Sequence, residues 1–172
     1  MELMLATTDS DFNAARGLFR EYHDWFGEDV CFQAFGAELA ALQEDYWPPA
    51  GAMILMKETN EYIGCVGLRR IDSDRCEVKR LFVKPAFRNR GAGRALLDAA
   101  IGIAEEMRFR IAALHTLARL EAAIDLYRKS GFRQIPVDDG EVCLWLIDGE
   151  EGLVDRWSKE ASRRLLYRII YL

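Results

Sequence analysis

The sequence predicts one α/β (α+β) domain: a central, mostly antiparallel, twisted sheet of six to seven strands flanked by helices. Three observations carry this reading. First, Cys76–Leu97 runs from a β-branched and apolar stretch, through a glycine loop, into a helical pattern. Second, short apolar runs are joined by hairpin turn signals, Thr59-Asn60-Glu61 and Asp138-Asp139-Gly140. Third, between the strands the apolar residues recur at helical spacing. A chain of 172 residues is long enough for one domain with a substantial core.

The elements follow in order. Residues 2–6 read as a short strand. Asp9 or Ser10 can cap a helix to about Phe26, with Phe12, Ala15, Phe19, Tyr22 and Phe26 on one face and Gly27 as its stop. A second helix is expected over 34–46, with Phe35, Leu39, Leu42 and Tyr46 in register, ended by Pro48-Pro49. Strands are expected at 53–58, 62–69 and 75–83, with the turn Ile71-Asp72-Ser73-Asp74 before the third. Pro85 closes that central strand, because proline has no N–H for a ladder bond. The helix after the glycines runs to about Met107. A strand at 111–116 follows, then a helix from about Leu120 to a left-handed stop at Gly131. Residues 132–135 and 142–147 form a last antiparallel pair.

The loop after the central strand carries the chemistry. Gly91 and Gly93 let a ligand approach the backbone. The unsatisfied N–H groups and positive dipole end of the following helix favour an anion. Lys79, Arg80, Lys84, Arg88, Arg90 and Arg94 are close in sequence. Together these predict a phosphate cradle. The loop has neither the Gly-Lys-Ser/Thr end of a P-loop nor a Gly-x-Gly-x-x-Gly run, which argues against a nucleoside triphosphate and against a dinucleotide.

Composition narrows the partners. The net charge is -5, which argues against a nucleic-acid binder, while a local basic cluster suits a small polyanion. Cys31, Cys65, Cys76 and Cys143 lack metal-knuckle or Cys-x-x-Cys spacing, so they read as reduced thiols, with no metal site expected. The chain shows no leader peptide and no apolar stretch long enough to span a membrane, so a cytoplasmic location is expected.

Arg88-Asn89-Arg90-Gly91-Ala92-Gly93 fits Arg-x-x-Gly-x-Gly, the acetyl-CoA signature of the GCN5-related N-acetyltransferases. Its flanks, Cys-Glu-Val-Lys-Arg-Leu-Phe-Val-Lys-Pro before and Ala-Ile-Asp-Leu-Tyr-Arg-Lys-Ser-Gly-Phe (123–132) after, strengthen the match. The chain resembles a bacterial branch of this family, the GNAT family, to about Ile147. The resemblance implies the GNAT fold, with the sheet splayed and locally parallel at an acetyl-CoA cleft. It implies a pyrophosphate held by Arg88, Asn89, Arg90, Gly91, Ala92, Gly93, Arg94 and Ala95. It also implies pantetheine bonding to the backbone of Leu81, Phe82 and Val83, with a Phe82 or Val83 N–H polarising the thioester oxygen. Lys129, with Arg128, is expected near the 3′-phosphate of coenzyme A. The asparagine that many relatives carry before this helix is Leu120 here, which removes that contact.

Acetyl transfer also needs a base for the ammonium and an acid for the thiolate. Glu77, where the family often has a base glutamate, is the candidate base, directly or through water; its alternative is a salt bridge to Arg75 or Lys79. Tyr127 is the candidate acid, since a phenol is protonated at neutral pH; its alternative is a core tyrosine beside Leu120, Ala123 and Ile124. Tyr22, Trp25, Phe26, Phe32 and His115 are candidate pocket residues. The expected function is acetyl-CoA-dependent N-acetylation of a small-molecule or peptide amine. The alternatives are a protein N-terminal or lysine acetyltransferase and a non-catalytic acyl-CoA-binding module.

The expected division is an acetyltransferase domain at 1–148 and a helical extension at 149–172. In the extension Leu153, Trp157, Ala161, Leu165 and Ile169 fall at helical spacing. Such a stripe must be buried, on its own domain or in a homodimer.

Overall fold

The computed structural model describes residues 1–27 and 35–135 and the backbone of 141–147. The chain divides into two compact units, Met1–Ala112 and Ala113–Leu172. In the first, β1 (Glu2–Leu5) leads into α1 (Asp9–Phe26). The cap lies one residue ahead of the expected acid. Thr8 is extended, its hydroxyl accepts the Asp11 N–H at 3.2 Å, and the Asp11 carboxylate accepts the Thr8 N–H at 3.0 Å. Only with Thr8 as cap does Asp11 fall at the third helical position, where it can return the bond. Gly27 stops α1 at φ 74°.

The single helix expected over 34–46 is two helices among the described residues, α2 (Phe35–Ala40) and α3 (Leu42–Tyr46), separated at Ala41. The break brings the Tyr46 hydroxyl to Glu38, to which it donates at 3.0 Å. A straight helix would hold these residues about 12 Å apart along its axis.

The sheet of this unit runs β1–β2 (Gly51–Glu58)–β3 (Glu61–Arg70)–β4 (Arg75–Val83), every pair antiparallel. β2 begins two residues before the expected Met53. On one face Phe12, Ala15, Leu18 and Phe19 of α1 and Leu42 and Tyr46 of α3 pack with Met53, Leu55, Cys65 and Phe82. Gly67 admits the Tyr46 ring: a Cβ there would lie 2.4 Å from it. α4 (Ala92–Glu106) packs against β2, β3 and β4, burying Ala92, Leu96, Leu97, Ala100 and Ala104; Leu96 approaches the sheet at Gly64.

The β3–β4 ladder is interrupted. Gly67 pairs with Lys79 but Cys65 with Phe82, so Arg80 and Leu81 together oppose Val66. This is a β-bulge, and Arg80 sits in it at φ 56°.

The second unit holds most of β5 (Ile111–Leu117), α5 (Glu121–Lys129), β6 (Arg133–Ile135) and β7 (Glu141–Ile147). β7 lies between β5 and β6 and pairs antiparallel with β6, Gln134 opposite Leu144. The connecting residues 136–140, with their expected turn, and the expected helix of 149–172 lie outside the described residues. Among the described residues no helix is long and apolar enough to cross a membrane.

Candidate active site

The loop leaving β4 makes one turn of 3-10 helix at Pro85–Phe87 and then bends through Asn89 at φ 59° and Gly91 at φ 81°. Gly91 is the N-cap of α4 and has no side-chain cap. Nothing lies within 4 Å of where its Cβ would stand. The Ala95 N–H returns to the Gly91 carbonyl at 3.0 Å. The earlier amides of the turn, on Ala92, Gly93 and Arg94, have no intrahelical acceptor by the geometry of any helix start. Open space, first-turn donors and the positive dipole end fit a diphosphate.

The basic side chains of the loop are engaged with the protein. Arg88 is a strut: its Nε donates to the Val83 carbonyl at 2.8 Å and its guanidinium lies 4.1 Å over the Trp25 ring. Its burial pushes the guanidinium pKa down. Arg90 pairs with Glu58 at 2.8 Å and Arg94 with Asp98 at 2.8 Å. Lys84 reaches Glu21 at 3.1 Å and Glu61 at 3.0 Å. Pairs of this kind at a protein surface are worth about 0–1 kcal/mol each.

Three of the expected pocket aromatics come together at the end of β4. Tyr22 lies 5.4 Å from the Phe82 ring, 6.3 Å from Trp25 and 5.7 Å from Phe26. Trp25 remains 47% exposed. Phe32 lies outside the described residues.

The backbone direction of β4 separates the two candidate amides. The Lys84 N–H donates to the Ile63 carbonyl on β3 at 2.9 Å. By strand alternation the Phe82 amide also points toward β3, and the Val83 amide away from it. The Arg88 bond to the Val83 carbonyl agrees, since the N–H and C=O of one strand residue point the same way.

Glu77 is buried at 4% exposure, its carboxylate 2.9 Å from the Arg69 guanidinium across the ladder and 4.0 Å from Lys79. The main ion-pair partner is thus on β3. Beside it stands a cluster that sequence reasoning missed. Glu38 of α2 accepts from Arg80 Nε at 3.1 Å and from its NH2 nitrogen, accepts the Tyr46 hydroxyl, and lies 3.8 Å from Lys79. Burial pushes the Glu38 carboxyl pKa up, but the Arg80 hydrogen bonds and the Lys79 and Arg80 charges outweigh it and leave it lowered. Burial, reinforced by Glu38, holds the Tyr46 phenol pKa well above its ordinary value. A signal existed: Glu38 falls on the same helical stripe as Phe35, Leu42 and Tyr46, where an acid must find a partner.

In the second unit the chain end of α5 fixes Tyr127. The Phe132 N–H donates to the Tyr127 carbonyl at 3.1 Å and the Gly131 N–H to the Arg128 carbonyl at 3.0 Å, with Gly131 at φ 92°. This is a Schellman motif, and its apolar contact is the Tyr127–Phe132 ring pair at 6.0 Å. The Leu-Tyr-x-x-x-Gly-Phe segment therefore sets the tyrosine by its own local chemistry. His115 is half-buried on β5, and Lys129 is exposed and paired with Asp125 at 2.6 Å.

Residues 13–132 match the family model described as the acetyltransferase (GNAT) family. The chain belongs to that family. A GNAT relative from Schizosaccharomyces pombe, named an uncharacterised N-acetyltransferase, is 34% identical over 125 residues, covering 72% of this chain and 77% of its own. Solved structures share the GNAT fold. An acetyltransferase from Streptococcus agalactiae superposes with TM-score 0.71 at 18% identity over 85% of this chain and 97% of its own. The PaiA N-acetyltransferase from Thermoplasma acidophilum, in complex with coenzyme A, gives 0.64 at 18% over 86% and 99%. The protein is thus an N-acetyltransferase, and its acetyl donor is the family's, acetyl-CoA.

Proposed function

We propose that this GNAT enzyme acetylates the amine of a small molecule or peptide in the cytoplasm. The observation that carries the reading is the uncapped, open left-handed start of α4 directly after β4. It supports a diphosphate held by the backbone of residues 91–95, with Arg90 and Arg94 turning from their carboxylate partners toward it. Acetyl-CoA supplies an acyl thioester with an electrophilic carbonyl carbon and a thiol leaving group.

The roles of the chain's residues follow from amide formation. Glu77, directly or through water, takes the proton of the acceptor ammonium, and the freed lone pair forms the C–N bond. The Val83 N–H, directed away from β3, donates to the carbonyl oxygen as charge develops there. When the C–S bond breaks, the Tyr127 hydroxyl gives the sulfur its proton, and the second proton of the acylated nitrogen passes through water to the phenolate, which leaves a neutral amide, a free thiol and a phenol. Tyr22, Trp25 and Phe26 form an aromatic wall for the acceptor. Lys129 serves the 3′-phosphate from the second unit. The helical stripe of 153–172 pairs two copies of the chain.

A panel of small amines, amino acids and short peptides with acetyl-CoA, read by free thiol release, tests this. Turnover with at least one small or peptide amine is expected. Acetylation confined to folded protein substrates, or donor binding without thiol release from any amine, would replace the reading with one of its alternatives.

A further inference from the structure

The β4 bulge is a decision point in the fold. Without it, the pairing Gly67↔Lys79 would continue as Cys65↔Leu81 and Gly64↔Phe82; the observed partners are Cys65↔Phe82 and Gly64↔Val83. A one-residue slip moves every side chain to the other face and reverses every amide. The bulge is thus what puts Phe82 against Tyr22 and what turns the Val83 amide away from β3.

The residue that forms the bulge is poorly suited to it. Arg80 takes φ 56°, a conformation a side chain with a Cβ adopts at a cost. Something must hold it there. Its guanidinium is gripped by both oxygens of Glu38, is only 9% exposed, and lies 5.7 Å over the Phe35 ring. Tyr46 and Lys79 hold Glu38 in turn. The grip comes from α2, which lies some 40 residues earlier in the chain and is joined to α3 by the break at Ala41.

We infer that Glu38 is a positioning residue for acetyl transfer: through Arg80 it locks the β4 bulge and so sets the Val83 amide that polarises the thioester carbonyl. This rests on the reading that the Val83 amide is that donor. Glu38 touches no substrate; it acts through the backbone of β4.

The test reads the carbonyl directly. Acetyl-CoA labelled with 13C at the thioester carbonyl is bound to the full chain, and its C=O stretch is compared with that of the free donor by infrared difference spectroscopy. The wild type should show a shift to lower wavenumber. Arg80→Gly and Arg80→Ala both delete the ion pair, but only glycine accepts φ 56° without strain. Arg80→Gly should keep most of the shift, and Arg80→Ala should lose at least half. Glu38→Gln should lose the shift in the wild-type background and change it little in the Arg80→Gly background. Apparent affinity for acetyl-CoA should stay within about threefold throughout, because the diphosphate cradle is untouched. A shift retained by both Arg80→Ala and Glu38→Gln overturns the inference alone. If Glu38→Gln does not fold, the glycine–alanine contrast decides, and equal shifts in that pair overturn the inference. Absence of any shift in a donor-saturated wild type instead overturns the underlying assignment of the β4 amide.

Discussion

At the scale of single residues, the proposed reaction divides between a carboxylate base on a strand, Glu77, and a phenol on a helix end, Tyr127. Glu77→Gln keeps the shape of the side chain but cannot accept the ammonium proton. Turnover should fall by roughly two to four orders of magnitude with acetyl-CoA affinity little changed, and the residual rate should climb with pH as free amine accumulates. Tyr127→Phe should cost about one to three orders, mostly in kcat. Steady-state kinetics on the best acceptor of the panel checks both; a rate within a few-fold of wild type removes that residue from its role. The place of Tyr127 near the end of α5 was legible in the sequence, because Gly131 and Phe132 mark where that helix stops. The Arg69 partner of Glu77 was not, because only the register of β3 against β4 brings them together.

At the scale of elements, strands and helices follow the apolar periodicity, and their bounds agree with it to within a few residues. The two irregularities do not. The α2–α3 break falls at Ala41 and the bulge at Arg80, and neither residue type marks a turn. Each sits beside a contact that joins residues apart in sequence: Tyr46 with Glu38 across the break, and Glu38 with Arg80 at the bulge. The left-handed cap of α4 was legible because glycine is the residue type that permits it at position 91. What its arginines hold was hidden, since Glu58 comes from a distant strand and Trp25 from α1. Gly67→Ala tests the packing that the break serves. The added methyl would meet the Tyr46 ring at 2.4 Å, and overpacking of this kind costs about 1–3 kcal/mol. Thermal melts should show a loss of about 2–4 °C per kcal/mol; an unchanged midpoint would mean the ring is not seated there.

At the scale of the whole molecule, buried and hydrogen-bonded carboxylates set the response to acid. For Glu38, Asp11 and Asp72 burial alone would raise the pKa, but arginine, backbone N–H and hydroxyl partners outweigh it, leaving all three below the ordinary carboxylate range. A lowered folded-state pKa contributes stability that is present above the unfolded value and is lost as pH falls toward the folded one. Denaturant melts should therefore show stability level above about pH 5 and falling through pH 4 and below, with a shallower acid limb in Glu38→Gln. A limb of equal slope in that variant would remove Glu38 from the acid response. The tail is tested separately. Truncation after Gly149 should give a monomer by light scattering that still binds acetyl-CoA; a truncated protein with the same assembly state as the full chain contradicts the dimer proposal.

The central claim is that the uncapped start of α4 holds the diphosphate of acetyl-CoA, and a calorimetric titration of Gly91→Glu tests it most directly. The new carboxylate would stand in the open space over the cap, where like charges cost several kcal/mol against the diphosphate. With each tenfold in affinity worth about 1.4 kcal/mol, binding should weaken by at least ~100-fold. Gly91→Ala, carrying the same backbone strain without the charge, should stay within about tenfold of wild type. Both variants should melt as folded proteins. Wild-type affinity for acetyl-CoA in a folded Gly91→Glu variant would contradict the account.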